Sequence, residues 1–278
     1  MGAFQVVGAG LRLWSSNWVR WFVVTLLMTG AIAIVTAALD PWSATYGAPF
    51  WTRTPANARP DPGAIAVLLT LVTVFVLSPW ELLILTNAAL RATFSDAPRG
   101  SALIGRTIGK VHSILWIFFL LALLAIPLFL VLVGIADAMG SAEARSFLLF
   151  VPLALFVLIG SRLATLIHVF VGEDARGTKA ITGAWRLSRG AWGTAAGTLA
   201  LSFLVAIAVT IVPGLIVAEA LPGADVADAV GRTVIQSLLN ALVTPMGTAI
   251  VTALYLELRA RAGVLDQASL RRNLARFD

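Results

Sequence analysis

The chain contains no cysteine. Disulfides, thiolate nucleophiles and cysteine-type zinc sites are therefore excluded, and nothing records the redox compartment. Charge is scarce: 12% of the 278 residues are charged, against about 25% in a soluble domain. Histidine occurs twice, at His112 and His168, and lysine twice, at Lys110 and Lys179; the other basic residues are all arginine. That bias fits a GC-rich bacterial genome. Two separated histidines and scattered acids are not the clustered ligands a metal ion needs. No Walker loop, GxSxG elbow, HExxH or paired-aspartate motif occurs, and the Gly-Ala-Gly at 8–10 lacks the strand that a nucleotide loop follows. Acid–base work needs converging titratable groups. The chain is therefore expected not to be an enzyme, and no catalytic, cofactor or metal residue is assigned.

What is abundant is apolar. Hydrophobic residues make up 59% of the chain and the mean hydropathy is +0.91, an excess that needs lipid as solvent. A bilayer core about 30 Å thick takes roughly 20 apolar residues in helix. Six runs qualify, at 19–39, 63–90, 113–136, 146–172, 190–218 and 233–257. Glu81 and Arg162 are the charges that fall well inside them. The first run is long and follows a 20-residue leader rather than a short basic segment, so it is expected to be a retained helix, not a signal peptide. The expected fold is all-α: a polytopic membrane protein, one transmembrane domain over 1–278, with six helices arranged as three hairpins.

The net charge of +6 and high pI are not expected to mean nucleic acid, because the positive residues flank the runs. With a cytoplasmic N-terminus, fifteen basic residues fall inside and four outside (Arg53, Arg59, Arg145, Arg232). This is the positive-inside pattern, and it places both termini in the cytoplasm of a bacterium and the runs in its inner membrane. The longest outside loop, Asp40 to Pro62, holds five prolines that rule out regular helix through most of it, and aromatics suited to the headgroup region. Prolines 79, 127, 152, 213 and 245 fall inside runs, where neighbouring helices can satisfy the freed carbonyls.

The stretch from Arg162 to Trp192 sets out a plan that recurs. An apolar run surfaces, an acidic turn (Glu173, Asp174) follows, then a basic segment, then a tryptophan opening the next run. Segments ending at Trp18, Trp116 and Trp192 align so that Arg12, Lys110 and Arg186 share one place. In the second segment Arg99, Arg106, Lys110 and Ser113 share a helical face opposite Leu103, Ile104, Ile108 and Val111. In the third, Lys179, Thr182, Arg186 and Arg189 oppose Ile181, Ala184, Trp185 and Leu187. Such spacing belongs to an amphipathic helix lying in the membrane interface. Three repeat units are expected, at about 3–90, 98–172 and 177–266, with Arg12, Arg99, Arg106, Lys110, Lys179, Arg186 and Arg189 as headgroup-contacting residues.

Glu81 and Arg162 lie at matching depths, nine or ten residues from the inner ends of their runs, or about 14–15 Å at 1.5 Å per residue. A lone arginine at mid-bilayer is costly, so a buried Glu81–Arg162 ion pair is expected. It would serve as glue between helices or as a substrate or proton site; the alternative is separate snorkelling. His168 reads as a satisfied interfacial group. Asn87, Gln236, Ser237 and Asn240 are candidates for bonds across helices.

Around Arg162, Gly172-Glu173 and the run AITGAWRLSRGAWGT, the sequence resembles the six-helix membrane domain found on some bacterial glycerophosphoryl diester phosphodiesterases and also alone. TALYLELRARAGVLD after Pro245, and more weakly ALRATFSDAPRGSALIGRTIGK, carry the likeness over most of the chain. Ala184 stands where that family commonly has serine, and Glu257 where it often has aspartate. The resemblance implies a fold and a membrane setting. It implies no activity, because the family's hydrolase belongs to a separate soluble barrel of which nothing is present. The expected function is a non-enzymatic membrane module that binds anionic lipid headgroups or a protein partner at the cytoplasmic face. The alternative is a carrier for a small amphiphile, with Glu81 and Arg162 on its path.

Overall fold

The computed structural model describes residues 1–45, 62–94, 107–138, 158–220 and 226–275. Among these residues every regular element is an α-helix. They are α1 (Ala3–Thr45), α2 (Pro62–Ala92), α3 (Val111–Ala138), α4 (Leu166–Glu173), α5 (Thr178–Ser188), α6 (Trp192–Ala220), α7 (Val226–Arg261) and α8 (Gln267–Ala275). A short helical stretch, 158–163, precedes α4 across a turn at Ala164–Thr165. Trp192–Thr210 and Ser237–Arg261 are the described helical segments long and apolar enough to cross a membrane.

Two expectations about the first unit change. The leader and the first apolar run form one continuous helix, with no separate interfacial helix before Trp18. The polar residues that would favour a break instead bond back along the helix. Ser15 Oγ donates to the Arg12 carbonyl (3.0 Å), Ser16 Oγ to Leu13 (2.9 Å) and Asn17 Nδ2 to Leu13 (3.1 Å). The helix also continues through Pro41 to Thr45, taking in the start of the expected outside loop. Pro62 opens α2, where a missing N–H costs nothing. Pro79, Pro127, Pro213 and Pro245 lie within α2, α3, α6 and α7 without ending them. The rest of the loop, Pro152, Arg145, Arg99 and Arg106 lie outside the described residues.

The helices have two distinct settings. From Leu83 to Arg91 every residue of α2 is buried, and α4 and the C-terminal half of α7 are buried nearly all round. A helix apolar on all sides belongs in a core or in lipid; these segments are in a core. Leu83 and Leu90 of α2, Ile114 and Ile117 of α3, and Val169 and Phe170 of α4 meet Ala180 of α5, Tyr255 of α7 and Leu270 and Leu274 of α8. The other setting begins at the three aligned tryptophans. Trp18, Trp116 and Trp192 are 44%, 55% and 41% exposed. Beyond each, large apolar side chains face outward: Val23 and Leu27 on α1, Phe119 and Leu123 on α3, Phe203 and Leu204 on α6.

α1 packs on α2, α6 and most extensively on α7. Gly10 makes that last crossing possible, because a Cβ there would stand 2.8 Å from the Ile250 backbone nitrogen. α8 has nine residues, too few to hold a helix alone in water. It forms by docking Leu270 and Leu274, each worth about 1.5–3 kcal/mol on full burial.

Candidate functional site

Asp174 ends α4 in the left-handed conformation (φ 50°), and Gly177, also at positive φ (55°), starts the return. So short a connection sends α5 back antiparallel along the way it came. Small residues let the two approach: Ala180, Gly183 and Ala184 are buried, and a Cβ on Gly183 would meet Val169 Cγ1 at 2.9 Å. At the far end Ser188 Oγ donates to the Arg162 carbonyl (3.2 Å), and Trp192 Nε1 donates to Ser161 Oγ (2.8 Å). α5 thus spans the length from the acidic turn back to Arg162.

Its outward face is Lys179, Thr182, Trp185, Arg186 and Arg189. Lys179, Arg186 and Arg189 are exposed as expected. Trp185, expected on the apolar face with Ile181, Ala184 and Leu187, is 45% exposed and sits among the basic residues. The Arg162 guanidinium lies 5.4 Å from the centroid of its ring. The physical reason is packing: the close approach of α5 to α4 admits glycine and alanine but not an indole.

The expected Glu81–Arg162 ion pair is not formed. Glu81 Oε1 and Arg162 Nη1 are both buried without a hydrogen-bond partner, and among the described residues neither makes a salt bridge. Each charge lies beside the start of a neighbouring helix. Arg162 adjoins Ser161, which is bonded to the first residue of α6, and Glu81 adjoins Trp80, whose Nε1 donates to Thr107 Oγ1 (3.0 Å) just ahead of α3. Both charges sit level with the first residues of the neighbouring helices rather than midway along them. The matched spacing from the run ends was real, but the last turns of both runs lie in protein. Because Glu81 has an unmet buried oxygen, Glu81→Leu is expected to stabilise the protein by about 1–3 kcal/mol, the cost of an unsatisfied buried polar group. A thermal melt in detergent checks this. A fall in stability of about 3–5 kcal/mol, the usual result of breaking a buried pair, would mean a partner had been lost.

Among the other expected contact residues, Arg12 is exposed on α1. Lys110 is committed elsewhere: its Nζ donates to Asp174 Oδ1 at 3.2 Å, tying the start of α3 to the α4–α5 turn. Burial pulls its ammonium below the usual lysine range, and the Asp174 contact offsets only part of that. Ile108, expected on the face opposite the basic residues, is 58% exposed, while Thr107 is buried.

A buried polar layer escaped the sequence reading. Arg259 Nη1 donates to Tyr255 Oη (2.9 Å) and Nη2 to the Val264 carbonyl (2.8 Å), with Glu173 Oε1 3.9 Å away. Arg91 Nε donates to Asn87 Oδ1 (3.0 Å) and Nη2 to the Leu274 carbonyl (2.7 Å). Asn87 thus bonds within its own helix, not across helices. His168 is buried, with Nε2 2.8 Å from Thr252 Oγ1. The i, i+4 spacing of Asn87 with Arg91 and of Tyr255 with Arg259 is the signal that was available. Ser237 and Asn240 have partners, and the Gln236 side chain lies outside the described residues. Among the described residues no group of His, Asp and Glu is placed to hold a metal ion.

No family model, curated protein or solved structure matches the chain.

Proposed function

We propose that the chain is a six-span protein of a bacterial cytoplasmic membrane, with both termini inside, acting as a non-enzymatic module that gathers anionic lipid headgroups at the cytoplasmic face. One observation carries this: α5 presents Lys179, Arg186 and Arg189 outward together with an exposed Trp185, while its small residues hold it against α4. Cations beside an indole on one helix face match the headgroup layer, which takes charge and amphipathic rings together. The three tryptophans at the start of the outward-facing apolar bands support the same placement. The likeness to the membrane domain of glycerophosphoryl diester phosphodiesterases belongs with this proposal as a setting without the hydrolase. The carrier alternative loses the Glu81–Arg162 pair on which it was built, and we do not extend it.

The test uses the full chain in nanodiscs of mixed phosphatidylglycerol and phosphatidylcholine. At about 1 kcal/mol per basic residue near the surface, three residues favour the anionic lipid by about 100-fold. The triple variant Lys179→Gln, Arg186→Gln, Arg189→Gln is expected to lose most of that enrichment, measured on lipid co-purified after exchange. Equal enrichment in both proteins, or enrichment insensitive to salt, would refute the proposal.

A further inference from the structure

Arg162 stands out from the other buried or half-buried arginines. Arg91 and Arg259 are hydrogen-bonded within the protein. Arg162 Nη1 has no acceptor, and no carboxylate pairs with the guanidinium among the described residues. Between residues 158 and 192 the acids are Glu173 and Asp174. Both lie at the other end of α5, about 16 Å away at 1.5 Å per residue, where Arg259 and Lys110 engage them. Leu158, one turn before Arg162 on the same helical face, is 46% exposed, so that face looks outward. Ser161 is bonded to Trp192, the tryptophan that opens the outward apolar band of α6. Arg162 is therefore a half-buried, uncompensated cation, its Nη1 enclosed by the protein, on the helix face of the exposed Leu158 and level with Trp192. Its guanidinium carbon lies 5.4 Å from the centroid of the Trp185 ring, and Arg189 follows Ser188, whose hydroxyl meets the Arg162 carbonyl.

We infer that Arg162, Trp185 and Arg189 form a discrete seat for the phosphate of one anionic phospholipid. The donor fork of a guanidinium matches phosphate oxygens, and the neighbouring indole holds the cation by a cation–π contact. At the inner boundary of a bilayer the abundant anion is the lipid phosphate. The inference rests on the proposed membrane setting and adds to it a single, saturable site, distinct from the diffuse attraction of the basic face.

Native mass spectrometry of the full-length protein, titrated with phosphatidylglycerol, phosphatidylcholine or inorganic phosphate, separates the two. The intact protein is expected to retain one phosphatidylglycerol at low lipid concentration, and neither phosphatidylcholine nor inorganic phosphate to the same degree. Arg162→Met is expected to weaken that first binding event about tenfold or more, as losing charge-assisted hydrogen bonds does. Trp185→Leu, at an exposed position, is expected to weaken it with no change in thermal unfolding, which covers the case in which Arg162→Met fails to fold. Lys179→Gln, outside the seat, is expected to reduce later, weaker binding and leave the first event intact. Unchanged first binding in Arg162→Met and Trp185→Leu overturns the seat, even where the triple variant still loses enrichment. Equal retention of inorganic phosphate overturns the lipid assignment.

Discussion

Gly10→Leu is expected to abolish the folded protein. α1 and α7 share the largest helix–helix contact, and at position 10 the surface facing the glycine is the backbone of Ile250, not a side chain that can swing aside. A Cβ would approach the Ile250 nitrogen to 2.8 Å and its Cγ1 to 2.9 Å. Overpacking against yielding side chains costs about 1–3 kcal/mol; against backbone the helices must separate. Separation strips Val6, Val7 and Leu254 of their burial. Small residues at helix crossings are how membrane bundles bring backbones together. The prediction is loss of the monodisperse peak in size-exclusion chromatography, with Gly10→Ala intermediate. Gly8→Leu is the control, because nothing lies within 4 Å of a Cβ there. It should leave elution and melting unchanged, and a well-folded Gly10→Leu protein would mean that the crossing is not as described.

Arg259→Met has the second largest expected effect. Arg259 is buried and joins three elements: Tyr255 on its own helix, the Val264 carbonyl of the α7–α8 connection, and Glu173 at the end of α4. Removing one member of a buried ionic group costs about 3–5 kcal/mol, because the partner is left without compensation. Glu173 retains 26% exposure of its side chain, so the loss belongs near the lower end, about 3 kcal/mol. Tyr255 Oη, at 3.5 Å from Glu173 Oε1, is then the remaining neighbour of that carboxylate. Pairing the change with Glu173→Gln should recover part of the loss, since no charge is then stranded. If the double variant melts as low as Arg259→Met, the coupling between the two residues is absent and the network is a matter of packing alone.

The sequence exposed the helices more clearly than their surroundings. Apolar length, scarce charge and the tryptophan alignment located α1, α2, α3, α6 and α7, and the 3–4 spacing located α5 with its basic face. What hydropathy cannot separate is lipid from protein interior. Leu83–Leu90 and Leu166–Gly172 are as apolar as a membrane span, yet they are enclosed by α1, α3, α5, α7 and α8. Counting them as span is what carried Glu81 and Arg162 to mid-bilayer and made a pair seem necessary. Trp185 was misplaced for a related reason. The face opposite the basic residues was read from hydrophobicity, whereas the stripe of α5 that packs on α4 is set by size, through Ala180, Gly183 and Ala184. The polar layer stayed hidden because Arg259 and Arg91 read as loop-flanking charges, and only folding brings Glu173 and the Leu274 carbonyl to them.

The block that gathers the C-terminal ends of α2, α4 and α7 has a mechanical consequence. Helices usually answer a thicker or thinner bilayer by tilting one against another, at a fraction of a kcal/mol per ångström. Here the lower ends are clamped by Leu90, Phe170, Tyr255 and Leu274 in one close-packed unit, so independent tilting is blocked at that end. In the membrane setting proposed above, a change in acyl-chain length is then expected to be taken up by the surrounding lipid and by the far ends of the helices, leaving the basic face at a constant height.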